Sequence, residues 1–290
     1  RSGWSRLDGG VVGGSSVHCM ERIWQWAWDR HGRRYSWAVF GISSAALLSV
    51  YLFYSGVIVA VERSDRYAAA AGVCLATVLV MAFFSTLPGF GGGRLVERWV
   101  AGGGVERSEA LEATYTWART ARILGPLSQT LCIAIQFVGV SAVAGATGSR
   151  LAQYAILGAT TGLAVSLIGA HSMSEGCTRP ARIDLTAGTA LGEQLPRSRP
   201  TFAAWASALV VATAFAFCSG SAMLAVAVGR VREHPGLAAM IAAALAFGFA
   251  LPITVTTSFA PMLRPVRDLA RGTERVAVGD YTQRLPVVQD

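Results

Sequence analysis

The chain has 290 residues, 53% of them apolar and only 14% charged. Soluble domains carry about 25% charged residues, and long stretches here lack any Asp, Glu or Arg. That excludes an ordinary soluble enzyme and points to membrane spans. The formal net charge is +8, and every one of the 25 basic residues is arginine.

Residues 1–36 form an N-terminal segment. Within it, 19–34 carries Trp24, Trp26 and Trp28 among charges, which predicts a helix lying at a membrane interface, where tryptophan is favoured. Six apolar stretches follow, at 37–61, 67–87, 123–147, 151–173, 202–229 and 236–260. Each has ~20 or more predominantly apolar residues, enough to cross ~30 Å of hydrocarbon as a helix. The backbone must be helical there, because lipid satisfies no exposed N–H or C=O. The expected fold is all-α, with six transmembrane helices arranged as three hairpins across residues 37–260. Short turns at 62–66, 148–150 and 230–235 alternate with long loops at 88–122 and 174–201.

Twenty arginines fall in the N-terminal segment, the two long loops and the C-terminal segment; the three short turns hold the other five. The positive-inside rule then puts both termini and both long loops in the cytoplasm of a multi-pass plasma-membrane protein. The positive charge is a topology signal, and no nucleic-acid partner is implied. In the first long loop, Leu95, Val96, Trp99 and Val100 share a face and predict a surface helix. Residues 106–122 open with Glu106, Glu109 and Glu112 and close with Arg119 and Arg122, the order a helix dipole favours. They extend the third span, with Gly125-Pro126 expected as a local break. Gly91-Gly92-Gly93 and Gly102-Gly103-Gly104 have neither the lysine nor the strand of a phosphate-binding loop, and read as joints. The five cysteines show no metal spacing and read as reduced apolar fillers.

No Asp, Glu or Arg lies within the six apolar cores. Transporters and pumps usually carry ionisable groups at that depth, so a transporter-like protein is disfavoured. His171 lies near one end of the fourth span and reads as an interfacial histidine. Gln129 and Gln136 are seven apart on the third span, hence on one face; they are either interhelical hydrogen-bond glue or the lining of a ligand pocket. Gly158, Gly162 and Gly169 make a small-residue seam, for helix packing within the chain or between two copies. No catalytic Ser/His/Asp set, carboxylate pair or metal-ligand spacing is present.

The last segment, 261–290, changes character. Phe259, Met262, Val266, Leu269, Thr273 and Val276 are spaced 3, 4, 3, 4 and 3 apart, a heptad seam. Pro265 removes a backbone donor after the last apolar stretch, and Gly279-Asp280 ends the helix. Pro265, Leu269, the run Glu274-Arg275-Val276-Ala277-Val278-Gly279-Asp280 and then Arg284-Leu285-Pro286-Val287 resemble the first helix and connector of a HAMP domain. Thr273 departs from the pattern, standing where the seam is usually apolar.

Six spans feeding directly into HAMP resemble the six-transmembrane, HAMP-linked class III adenylate cyclases of the mycobacterial type. The resemblance implies a parallel homodimer and a catalytic domain after residue 290. It also implies conversion of ATP to cyclic AMP and pyrophosphate with Mg2+ or Mn2+ held by carboxylates of that domain. None of those catalytic positions lies in these residues. The membrane part is then a sensor and dimerisation region, and its outer turns are so short that a lipophilic ligand or membrane lipid is the expected stimulus. A six-span HAMP sensor histidine kinase shares every feature, and a passive membrane anchor is the third alternative.

Overall fold

The computed structural model describes residues 15–187 and 202–227, with the isolated positions 240, 243, 244, 270, 273 and 277; side-chain surroundings are described from Met20 on, apart from 170–172 and 202–206. Among the described residues there is no strand. The helices are α1 (Ser15–His31), α2 (Tyr35–Val61), α3 (Tyr67–Thr86), α4 (Gly91–Val100), α5 (Arg107–Ala144), α6 (Ser149–Thr186) and α7 (Phe202–Ala227), with a 3-10 turn, Gly32–Arg34, between α1 and α2. Among the described residues, five helical stretches are long and apolar enough to cross a membrane. Of the sixth expected span, 236–260, only Met240, Ala243 and Ala244 are described, each as helix; the rest lies outside the described residues. So do Met262, Pro265, Val266, Leu269, Val276, Gly279 and Asp280 of the HAMP-like segment. Thr273 is helical and donates its hydroxyl to the Ala270 carbonyl at 2.7 Å.

The bundle of α2, α3, α5, α6 and α7 is apolar outside and partly polar inside. Leu131, Ile156 and Val211 are 63%, 66% and 68% exposed, while Gln136, Ser141, Thr161 and Ser166 are fully buried. Water would favour the reverse arrangement. A hydrocarbon solvent favours this one, since the outward side chains match lipid while Gln136 and Ser141 find partners inside.

Helices α5 and α6 each have 38 residues, about 57 Å at ~1.5 Å per residue. Hydrocarbon accounts for ~30 Å of that. The surplus on both helices lies at the same end, in 107–122 and 174–186, where the arginines are concentrated. There α1 and α4 pack against them to form a cap, whose core joins Trp24, Trp28, Tyr35, Val96, Trp117 and Cys177.

Five expectations are corrected by the structure. The tryptophans of α1 do not lie along a lipid surface: Trp24 and Trp28 are buried, and Trp26 alone of the three stays open. The surplus turns of α5 and α6 supply the protein surface that covers them. Helix α4 is likewise packed, with Val96 buried and Leu95, Trp99 and Val100 against the same core. Gly91-Gly92-Gly93 is the first turn of α4, not a joint. A Cβ on Gly92 would stand 2.3 Å from the Ala113 carbonyl oxygen and 2.9 Å from the Trp117 Cβ, so only glycine permits this approach of α4 to α5. Finally, 174–186 is helix, not loop, and α5 continues through Pro126 without interruption. Around Pro126, Thr130 donates to the Pro126 carbonyl at 2.7 Å and Ser128 to the Gly125 carbonyl at 3.0 Å. These hydroxyls do not replace the missing Pro126 N–H, whose acceptor would be the Arg122 carbonyl; the packing of α6 along α5 outweighs that local loss.

Candidate functional site

At the end of the bundle formed by the short turns, the two hairpins are tied together. Glu62, after α2, accepts hydrogen bonds from Arg150 Nη2 and the Tyr154 hydroxyl of α6, both at 2.6 Å. Arg66 donates to the Val143 carbonyl of α5 at 3.3 Å. Gly145 and Gly148, at φ of 104° and 59°, take the left-handed conformations that reverse the chain between α5 and α6.

At mid-bundle the two glutamines lie on the buried face of α5. Tyr51 of α2 donates to Gln129 Oε1 at 3.1 Å. Gln136 accepts from Thr77 of α3 at 3.2 Å, and its Nε2 donates to Ser55 Oγ at 3.0 Å and to the Tyr51 carbonyl at 3.4 Å. One amide thus links α2, α3 and α5. On the other side of α5, a Cβ on Gly158 would stand 2.6 Å from the Ile133 carbonyl oxygen, and one on Gly162 would stand 2.5 Å from that of Gln129. These two glycines bring the α5 and α6 backbones together within one chain. Gly169 has no atom within 4 Å of such a Cβ and takes no part. His171 is within α6; its side-chain surroundings are outside the described residues.

The cap holds charges that the sequence did not mark. Arg182 is 1% exposed. Its Nη1 donates to Glu175 Oε2 at 2.6 Å, its Nε to Thr114 Oγ1 at 3.0 Å, and its guanidinium lies 3.9 Å from the centre of the Tyr115 ring. Arg122 of α5 reaches within 3.9 Å of Glu175 Oε1. The pair therefore clamps α6 to α5 in the cap, just beyond the apolar part of both helices. Around it, Arg179 pairs with Glu21 of α1 at 2.8 Å, Trp28 Nε1 donates to Asp184 at 2.7 Å, and the Tyr35 hydroxyl donates to the Cys177 carbonyl at 2.6 Å. Trp117 Nε1 donates to the Thr86 carbonyl at 3.1 Å, satisfying one of the open carbonyls at the C-terminus of α3.

Glu97 of α4 completes the cap. It accepts the Ser36 backbone N–H at 2.8 Å and the Ser36 hydroxyl at 2.7 Å, while Ser36 Oγ accepts the Gly89 N–H at 2.8 Å. The first turn of α2 thus receives its capping carboxylate from another helix, where the dipole favours negative charge.

What could have found Glu175 and Arg182 is periodicity. Thr178, Ala181, Arg182 and Leu185 follow the i, i+3, i+4, i+7 pattern of one helix face, and all four are buried. Pro180 and the charges disguised it. Among the described residues, no group of three or more His, Cys, Asp or Glu is placed to hold a metal ion. Compared with known proteins, the chain matches no family model, no curated protein and no solved structure.

Proposed function

We propose that this chain is the membrane sensor and dimerisation region of a HAMP-linked adenylate cyclase, with six spans, both termini and the cap in the cytoplasm, and catalysis in a domain that follows HAMP. The observation that carries the reading is the heptad seam at 259–276 with its Gly279-Asp280 stop, directly after the last apolar stretch. In this role the spans bind no translocated ion. The buried mid-bundle amide, which is hydrogen-bonded to α2 and α3 rather than to a charged group, supports that.

The arrangement also supports a division of labour. Helices α2, α3, α5 and α6 are tied at the hairpin end, at mid-bundle and in the cap. Helix α7 rests on α6 through Ala164, Ile168, Leu209, Ala212 and Ala216, mostly small side chains, with the Tyr54 hydroxyl donating to the Ala216 carbonyl at 3.0 Å. In our reading α7 and the following span move as a hairpin against this fixed frame and turn the HAMP seam of a parallel dimer. A coupling of ~1–3 kcal/mol is enough for a switch of this kind. A lipophilic ligand or the surrounding lipid is the stimulus.

The test is nucleotide production by membranes carrying the full-length protein, given ATP and Mg2+ or Mn2+. Cyclic AMP that depends on the protein and disappears on truncation at Asp290 is the expected result. Phosphate transferred from ATP to a protein histidine, without cyclic AMP, would replace this reading with a sensor kinase. Unchanged output when the spans are exchanged for an unrelated dimeric anchor would reduce them to a passive anchor.

A further inference from the structure

A cleft of about 760 Å³ opens on the cap between the end of α1, the 3-10 turn, the end of α4 and Asp184 of α6. Arg30, Arg33 and Arg34 reach it from the α1–α2 corner, and Trp28, Trp99 and Val100 also line it. All three arginines are exposed, and among the described residues none makes an ion pair. The two carboxylates of the cleft already have hydrogen-bond donors: Asp184 accepts from Trp28 Nε1 at 2.7 Å, and Asp29 from Gln25 at 2.9 Å. Neither reaches a guanidinium of the corner. Fork-shaped donors without a carboxylate partner are suited to bidentate recognition of a phosphate.

Position says where that phosphate comes from. One turn beyond Arg34, Trp37 is 49% exposed, and Phe90, before α4, is 57% exposed. Trp37 lies beside the residue preceding Phe90, since a Cβ on Gly89 would be 3.5 Å from Trp37 Nε1. Outward aromatic rings on two elements at one level mark the boundary of the hydrocarbon. The arginines sit immediately outside that boundary, at headgroup depth, and on the arginine-rich side of the chain. The cytoplasmic leaflet there is anionic and attracts such residues.

We propose that this cleft binds the phosphate of an anionic phospholipid headgroup from the adjacent leaflet, held by Arg30, Arg33 and Arg34 against the Trp99 wall. The site depends on the chain's membrane location and not on its coupling to a cyclase. Occupancy would link the α1–α2 corner to α4, and through Glu97 to the start of α2.

The test uses the full chain in nanodiscs of phosphatidylcholine, alone or mixed with phosphatidylglycerol. Lipid retained after mild delipidation is counted by native mass spectrometry, and amide exchange is followed over 28–36 and 97–101. Phosphatidylglycerol should be retained over phosphatidylcholine by about tenfold, and R33Q/R34Q should remove most of that preference. Val100→Glu, which keeps every arginine and so leaves the topology signal intact, should weaken it too. If soluble glycerol 1-phosphate slows exchange at the cleft in phosphatidylcholine discs as phosphatidylglycerol does, the phosphate site stands and its source is a soluble anion. Equal retention of the two lipids by the native chain, or an undiminished preference in both variants, would overturn the proposal.

Discussion

The cap and the bundle share the long helices α5 and α6, yet they are held together by different chemistry. Within the bundle, α5 and α6 meet through Gly158 and Gly162, backbone against backbone, and the polar contacts at mid-bundle are neutral amides and hydroxyls. Beyond residues 122 and 173 the same helices meet through Arg182, Glu175 and Thr114, with large aromatic side chains around them. Solvent explains the change. Lipid tails are as apolar as leucine, so helices inside the membrane associate by close packing and by satisfying polar groups, and charge is costly. Next to water the hydrophobic effect operates again. The cap therefore buries Trp24, Trp28 and Trp117 and tolerates an ion pair with good geometry. The two regions should fail separately, and substitutions in each test that.

The largest effect belongs to the cap. Arg182→Met leaves Glu175 buried with only the distant Arg122, and removing one partner of a buried pair costs about 3–5 kcal/mol. Amide exchange should rise across α1 and 174–186 and stay unchanged across 151–165. The double variant Glu175→Leu/Arg182→Met should recover most of the loss, because an apolar pair of similar size needs no desolvation of charge. Exchange rising equally in cap and bundle would show that they are one cooperative unit.

The matching test in the bundle is Gly162→Leu. Its Cβ would stand 2.5 Å from the Gln129 carbonyl oxygen, so the helices must separate. Overpacking costs ~1–3 kcal/mol or more where backbone must move. The thermal midpoint in detergent should fall while exchange in α1 and α4 holds. Gly169→Leu, at a position with open space, is the control and should be close to neutral. A Gly162→Leu chain as stable as the native one would mean that the two backbones do not approach this closely.

Between the regions sits the contact of Glu97 with Ser36. Glu97→Gln keeps the shape and removes the charge from the start of α2. A lost capping interaction costs about 0.5–2 kcal/mol, which hydrogen exchange in the first turn of α2 would read. Because this contact lies at the boundary, its loss should be felt in the cap and in α2 together, unlike either change above.

Five of the six apolar stretches were legible because their signal is additive: about twenty residues of one character outweigh any local exception. The helices of the cap at 19–34, 94–100 and 106–122 were legible as well, but their packing into a cap was not, for the opposite reason. Its segments are short and mixed in charge, and each takes its meaning from partners distant in sequence. Arg182 on its own is an arginine in a loop-like stretch; it becomes structural only through Thr114 and Tyr115, on another helix. Pro126 and Pro180 lie inside long helices, since tertiary packing outweighs a local penalty that sequence weighs at full strength. The glutamines were visible as a pair on one face, but whether they formed glue or a pocket depended on Tyr51, Ser55 and Thr77, which sequence could not place opposite them.

The smallest effect expected is also the most specific to the bundle. Gln136 joins three helices through one amide, so intuition assigns it a large role. Interhelical hydrogen bonds inside membranes are worth only about 0.6 kcal/mol on average, because separated helices find other partners in the unfolded state. Gln136→Leu should therefore lower stability by less than either Gly162→Leu or Arg182→Met, measured by unfolding in detergent micelles. The variant leaves the Ser55 hydroxyl bonded to the Tyr51 carbonyl at 2.8 Å, so no new buried donor is exposed there. A loss as large as that of Arg182→Met would show that the amide is part of a cooperative network, and that bundle and cap differ less in how they are held than their residues indicate.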